Sequence, residues 1–448
     1  MKHPVYILAF GLFLGTWACQ PPKETAKEPS LSTLSDDSLL NLVQYQTFRY
    51  FYDGAEPTSG AAPERIHMDG DYPSNDQGVV TSGGTGFGIM AILVGIERGF
   101  ISREEGVAHL QKLVNWLEKA DRFHGAWPHW MYGETGKVKA FSPKDNGGDL
   151  VETSFLAQGL ITARQYFQNG NEVEQALAKQ MNDLVNGIEW TWYQNGKNVL
   201  YWHWSPEYAW EMNFPVEGYN ECLIMYVMAA ASPTYPIAPE VYHEGWARKG
   251  DIKNDSSHQQ YGKHLALRHN YAKQYGGPLF WSHYSFLGLD PRQLKDRYAN
   301  YWEHNVNHVK IDYDYCVKNP KGHAGYGAHC WGLTSSYSIN GYAGHKPMDE
   351  DLGVISPTAA LSSFPYTPEE SMQFLRFLYA QERDSLIGDY GPYDAFSIGS
   401  SWYKPHYLAI DQGPIPVMIE NHRSGLLWEL FMSAPEVQQG LNKLGFTY

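Results

Sequence analysis

Apolar residues recur at helical spacing along most of the chain, and long polar, glycine-rich loops interrupt them. The pattern predicts a first helix over 36–53, with Ser35 as its cap and Gly54 as its stop. A second, over 86–98, is apolar nearly all round, as a buried helix must be. Ser102 and Glu105 form a capping box for a third, in which Val107, Leu110, Val114 and Leu117 keep the helical period. Residues 124–142 read as a loop or hairpin, 148–167 and 172–192 as helices, and Asn195-Gly196 as a hairpin turn. The stretch 213–228 reads as a sixth helix with Glu221 one turn inside it and Leu223, Ile224, Tyr226 and Val227 on its core face. Shorter helices are expected over 239–247 and 279–287, and a longer one over 298–317. Another short one lies over 357–364, and Thr367-Pro368-Glu369-Glu370 opens a helix that runs to 384. Three more, over 413–423, 425–432 and 435–444, close the chain. With no βαβ rhythm and no exact repeat, the economical architecture is all-α, an (α/α)₆ toroid whose long loops build a cleft at one end. An α-solenoid would show a fixed period, which is missing.

Composition narrows what such a fold would bind. A net charge of −15 argues against a nucleic-acid or anionic-membrane surface and permits a neutral ligand such as a glucan. The 15 Trp and 32 Tyr offer flat apolar faces with polar tips, suited to the C–H faces of pyranose rings, although many must be core. The N-terminus, Met1 to Cys19, has a short basic region and an apolar run too short to span a membrane permanently. It ends in a loose lipobox, so residues 1–19 are expected to be a lipoprotein signal, Cys19 a lipid anchor, 20–35 a flexible tether and 36–448 a single domain, monomeric and held on the periplasmic face of the outer membrane. Cys222 reads as a core thiol, and Cys316 and Cys330, 14 apart, would allow a disulfide in an oxidising compartment. No CxxC pair occurs, and neither a metal nor a cofactor is expected.

Three acidic motifs stand at starts of apolar helices beside Trp or Tyr. Glu221 follows Trp202, Trp204 and Trp210; Asp145, Asp149 and Glu152 lie in the run Lys144 to Glu152; Asp411 follows the aromatic loop 401–407. Each has an ordinary structural reading, as a paired acid for Glu221, a dipole-complementing acid for Asp149 and an N-cap for Asp411. Together they fit glycoside hydrolysis, which needs one protonated carboxyl to assist the leaving oxygen and one ionised carboxyl to activate water or attack. The candidate sugar-contacting residues are Trp127, Trp130, Trp204, Trp210, Trp331, Tyr403, Asn213 and Arg65. A lipid-anchored glycan-binding protein without catalysis would explain the aromatics but not several buried acids.

The stretches TSGGTGFGIMAILVGIERGFISREEG, KDNGGDLVETSFLAQGLITARQYF, LYWHWSPEYAWEMNFPVEGYNE, GGPLFWSHYSFLGLDPR and IDQGPIPVMIENHRSGLLW resemble the glucoamylase-like bacterial family, and within it glycoside hydrolase family 144. The resemblance implies an (α/α)₆ fold and hydrolysis of β-1,2-glucan or sophoro-oligosaccharides; the older family label implies α-glucan instead. It places the family's acids on Asp145, Asp149, Glu152, Glu221 and Asp411, and it implies inversion with Glu221 as general acid and Asp411 as general base. It also implies that the proton passes through a substrate hydroxyl. Asn146 stands where many relatives carry an acid. Similar domains in cyclic β-1,2-glucan synthases are retaining transglycosylases, the mechanistic alternative.

Overall fold

The computed structural model describes residues 34–448 except 271, 273 and 382. The expected signal, Cys19 and nearly all of the tether lie outside them. The helices are α1 Asp36–Tyr52, α2 Ser82–Glu97, α3 Arg103–Leu117, α4 Leu150–Phe167, α5 Glu172–Asn186, α6 Leu223–Ala231 and α7 Tyr301–Lys318. There follow α8 Pro357–Leu361, α9 Pro368–Gln381, α10 Arg383–Leu386, α11 Ala409–Gln412, α12 Pro414–Arg423, α13 Leu426–Met432 and α14 Pro435–Leu444. Strand pairs of two to four residues, and one three-stranded sheet, tie the loops together.

The helices form an α/α toroid. Its inner ring passes from α2 to α4, α6, the 3₁₀ turns Leu279–Ser282 and Tyr284–Phe286, α8 and α12, and back to α2. The described residues of α4, α6 and α8 are buried nearly all round, as elements inside a closed ring must be. The outer helices α3, α5 and α14 each bury only a stripe. The ring is held by polar ties as well as by apolar packing. Arg98 at the end of α2 donates two hydrogen bonds, 2.6 and 2.7 Å, to Glu420 of α12, and Gln44 of α1 adds a third to the same carboxylate at 3.1 Å. Gln158 of α4 fixes the 3₁₀ segment by donating to the Tyr284 carbonyl and accepting from the Gly288 N–H.

Local chemistry explains where the helices depart from their sequence-based bounds. The Ser102/Glu105 capping box forms as expected. Helix α5 stops at Asn186, short of 192, because Gly187 caps it and the chain turns toward Trp192. The predicted helix over 279–287 is a pair of 3₁₀ turns. Helix α6 begins only at Leu223, so Glu221 stands just before the helix rather than one turn inside it. No disulfide joins Cys316 and Cys330; both are buried thiols, and burial and the charge of Asp312 push Cys316 up.

Inner helices α2 and α4 cross at glycines. A Cβ on Gly86 would collide with the Phe155 carbonyl and the Leu156 backbone, and one on Gly159 with the backbone of Gly86. This close approach sets the depth at which the start of α4 meets the start of α2. Gly159→Ala is therefore expected to lower unfolding free energy by about 1–3 kcal/mol, since backbone rather than a flexible side chain must yield. Gly78→Ala, whose added Cβ meets nothing within 4 Å, should stay within about 0.5 kcal/mol. Denaturant melts of the two variants check both values.

Candidate active site

The segments that lead into α2, α4, α6 and α11 converge on one cavity of about 440 Å³. Its walls include Glu64, Glu152 and Glu221, and it is otherwise mostly aromatic: Trp130, Trp202, Phe280, Tyr284 and Tyr337 face into it. Two of the three acidic motifs thus reach the cavity directly, through Glu152 and Glu221.

Glu221 is placed by the cap of α6. Ser285 donates to the Glu221 carbonyl and accepts from the Ile224 N–H at 3.0 Å, and Asn220 accepts from the Cys222 N–H at 2.9 Å. The chain is thereby turned so that the Glu221 carboxyl meets the cavity. It is 8% exposed, and burial raises it to about 7, against weaker opposing hydrogen bonds from its own N–H and the Cys222 thiol. Among the described residues no cation pairs with it. A carboxyl in this setting keeps a large protonated fraction near neutrality, the condition a general acid needs.

The second motif has a different character. Asp149 caps α4, with Oδ1 accepting from the Glu152 N–H at 2.9 Å. Its Oδ2 accepts from His129 Nδ1 at 2.9 Å and from Trp202 Nε1 at 2.7 Å. Both oxygens are engaged, so the N-cap reading of Asp149 holds, and the same carboxylate also orients two groups of the cavity wall. Burial would lower His129, but Glu152, the hydrogen bond and charge of Asp149, and Glu64 lift it to about 10, so it is an imidazolium. Glu152 accepts from the Gly83 N–H at 2.8 Å and from Thr81 at 3.3 Å; burial holds it at about 7 against the pull of His129. Asp145 is buried beside this group, raised to about 7 by burial and by the charge of Asp149. Its 3.3 Å approach to His203 Nε2 is no ion pair, because that nitrogen already accepts from the Gly147 N–H and burial lowers His203. Asn146 donates to Glu207 at 2.7 Å, away from these acids.

Asp411 lies one layer behind the wall. It is 1% exposed and sits within α11 rather than at its cap; Tyr284 Oη donates to its Oδ1 at 3.3 Å. Beside it is Asp394, hydrogen-bonded to it and to the Tyr337 N–H at 2.7 Å. Burial raises both aspartates.

The aromatic candidates divide. Trp130 and Arg65 line the cavity, with the guanidinium 5.3 Å from the indole centroid and hydrogen-bonded to Tyr337 Oη. Trp127 and Trp331 are fully buried core residues, their indole N–H groups spent on the Leu117 and Glu370 carbonyls, which corrects their reading as sugar contacts. Trp204 packs with His124 and Trp192, Trp210 with Trp192 and Tyr201, and Tyr403 against Phe396, all outside the cavity wall. Asn213 is exposed in a left-handed turn, φ 42°. Sequence reasoning missed Glu64, His129, Tyr284, Tyr337 and Asp394, and used Trp202 only as a neighbour of Glu221. His129 and Trp202 carried a usable signal, since each stands beside a singled-out tryptophan. The His67, Asp69 and His406 cluster could not converge on one ion, because its two imidazoles stack 3.6 Å apart at 6°, with their lone pairs in parallel planes.

Comparison with known proteins agrees with this geometry. Residues 213–435 match the Glycoamylase family model, described as "Putative glucoamylase". An endo-β-1,2-glucanase from Chitinophaga pinensis, solved with sophorotriose and glucose, is 66% identical; the alignment covers 93% of this chain and 99% of that one, with a TM-score of 0.92. An exo β-1,2-glucooligosaccharide sophorohydrolase (non-reducing end) of Parabacteroides distasonis is 46% identical over 430 residues, 92% of this chain. The chain spans 58% of the length of that relative. An endo-β-1,2-glucanase from Talaromyces funiculosus, 10% identical over 93% of this chain and 92% of its own, shares the fold alone, with a TM-score of 0.67. This chain belongs to the glucoamylase-like family, together with the Chitinophaga pinensis and Parabacteroides distasonis enzymes.

Proposed function

We propose that this protein hydrolyses β-1,2-glucan or its sophoro-oligosaccharides. The observation that carries the reading is a buried Glu221, raised by burial to about 7, in an aromatic cavity, in a chain nearly coextensive with an endo-β-1,2-glucanase solved with sophorotriose. Glu221 is the general acid. Its proton goes to the glycosidic oxygen, through a substrate hydroxyl as the family resemblance implies, while the bond from that oxygen to the anomeric carbon breaks. Asp411 is the general base: one water O–H bond breaks, the water oxygen bonds the anomeric carbon from the opposite face, and the released proton passes to Asp411. Tyr284, which lines the cavity and donates to Asp411, is placed to hand that proton on by taking one and giving one. The product anomer is then inverted. Asp149 is a positioning residue, because both its oxygens are already committed to His129, Trp202 and the start of α4. Trp130 and Trp202 supply sugar-stacking faces.

The same reading places the protein at a membrane surface in the periplasm, anchored through Cys19 and acting on a neutral glucan. Its support is the leader pattern at the N-terminus. Replacing Cys19 with Ala should move the protein from the detergent phase to the aqueous phase on phase partitioning. Retention in the detergent phase would show that lipidation is not the anchor.

Two expectations follow for catalysis. Glu221 acts only while protonated, and burial keeps it so up to about 7, so kcat should fall as pH rises through about 7. Glu221→Gln should lower kcat by roughly 10²–10⁴-fold with little change in KM, and the fall near 7 should disappear from what activity remains. Both are read from new reducing ends released from β-1,2-glucan, with starch as control and polarimetry for the first anomer. Release from starch alone would overturn the substrate, and wild-type turnover by the Gln variant would remove Glu221 from its role.

A further inference from the structure

Tyr337 lines the cavity, and two residues of one strand reach its hydroxyl. Arg65 and His67 stand two apart on the strand Arg65–His67, so they project to the same face, and the strand is held by pairing with His406–Leu408. Arg65 Nη1 lies 3.1 Å and His67 Nε2 3.0 Å from Tyr337 Oη. The other ring nitrogen of His67 is fixed by the turn that follows the strand. Gly70, at φ 75°, donates to the His67 carbonyl at 3.0 Å, and the turn brings the Asp71 carbonyl onto His67 Nδ1. The ring is 6% exposed and stacks against Tyr72 at 4.9 Å and 22° and against His406 at 3.6 Å and 6°.

These partners leave one arrangement of protons. A carbonyl only accepts, so His67 Nδ1 carries a hydrogen. A guanidinium only donates, so Tyr337 Oη accepts from Arg65. The charged and titratable groups about the imidazole are Arg65, Tyr337, Tyr72 and His406, with Asp69 and Lys404 beyond His406. Burial, the His406 ring and Arg65 outweigh Asp69 and the Asp71 carbonyl and hold His67 below its ordinary value, so the ring is neutral and Nε2 is a bare acceptor. Burial raises the Tyr337 phenol, which keeps its proton. That proton must then go to His67 Nε2. With its single proton and one lone pair spent, the hydroxyl has only a second lone pair left to offer.

We propose that His67 is a positioning residue that fixes Tyr337 as an acceptor-only contact for a free sugar hydroxyl, and so helps to set the register of the glucan in the cavity. The inference deepens the hydrolytic reading and rests on it. A β-1,2-glucan presents two kinds of oxygen. Its free hydroxyls donate and accept, while its linkage and ring oxygens only accept. Two acceptors brought together leave both unpaired, so at Tyr337 the chain can place a hydroxyl but not a linkage or ring oxygen. A hydroxyl free to turn would make no such distinction.

The test is a double-mutant cycle of His67→Phe and Tyr337→Phe, read as KM for β-1,2-glucan and, on the same proteins, as calorimetric binding of sophorotriose. Phe at 67 keeps a ring to stack and removes the acceptor. His67→Phe should raise KM about 2- to 10-fold, the worth of one hydrogen bond, with kcat within about 2-fold of wild type. His67→Gln, whose side-chain carbonyl can stand in for Nε2, should keep KM within about 2-fold of wild type. In the Tyr337→Phe background, His67→Phe should add nothing further. Additive effects, or a Gln variant as impaired as the Phe variant, would mean that His67 acts through packing alone and would overturn the proposal. A readout on wild type covers a Phe variant that does not fold. Nitrogen NMR of histidine-labelled protein at neutral pH should show His67, identified by its change in Tyr337→Phe, as the neutral Nδ1–H tautomer; an Nε2–H tautomer or an imidazolium overturns the proposal. If wild type binds sophorotriose but releases no sugar from β-1,2-glucan, the hydrolytic reading fails and the cycle read on binding still decides His67; if it does neither, both fall.

Discussion

Desolvation of carboxyls is the constraint on which the site depends. Water is the best solvent a carboxylate has, and here Glu64, Glu152, Glu221, Asp394 and Asp411 are each raised first by its removal. What distinguishes them is what each receives in exchange. Glu152 gets a backbone N–H and a nearby imidazolium. Glu221 gets only its own N–H and a thiol, so it keeps its proton most simply. The toroid provides this graded environment because the loops entering its inner helices are packed from both sides while their ends meet one cavity.

The glycine seam between α2 and α4 belongs to the same constraint. Glu152 lies in the first turn of α4, and its partner, the Gly83 N–H, lies in the first turn of α2. A Cβ on Gly83 would run into the Glu152 carboxylate. The small residues of TSGGTGFG therefore serve twice, by letting the helices touch and by opening room for an acid at their shared end. Widening the seam would move Glu152 relative to Gly83, so packing and electrostatics of the site cannot be changed independently.

Much of this was legible in the sequence, and the limits have physical causes. Helical periodicity revealed the elements, since a helix that must bury a stripe or its whole surface writes that into its spacing, and caps such as Ser102 and Glu105 fixed a boundary. Glu221 was legible because an acid beside an apolar run is costly and so informative. Trp127 and Trp331 misled because an indole can fill a core as well as stack on a sugar; only the carbonyls that take their N–H groups tell the two apart. Asp394 was invisible because nothing around GlyProTyrAspAlaPhe is costly in sequence. Its burden arises from Asp411, 17 residues on, and from a hairpin over 335–344, which tertiary structure alone brings to it.

Charge balance inside the cavity completes the picture. Three acids, Glu64, Glu152 and Glu221, line the cavity and Asp411 and Asp394 lie behind its wall, and five carboxylates would draw in counter-ions and ordered water that the proposed neutral sugar would have to displace. The imidazolium of His129 offsets Asp149, to which it donates, and weighs against Glu152 and Glu64. Burial raises Glu221 to about 7 and also raises Asp394 and Asp411. The cavity thereby approaches neutrality by protonation rather than by pairing every acid with Arg or Lys. A less charged wall also leaves the aromatic faces of Trp130 and Trp202 free of competing hydration, so under the proposed hydrolysis the protonation pattern that equips the acids for catalysis would also favour the binding of a neutral glucan.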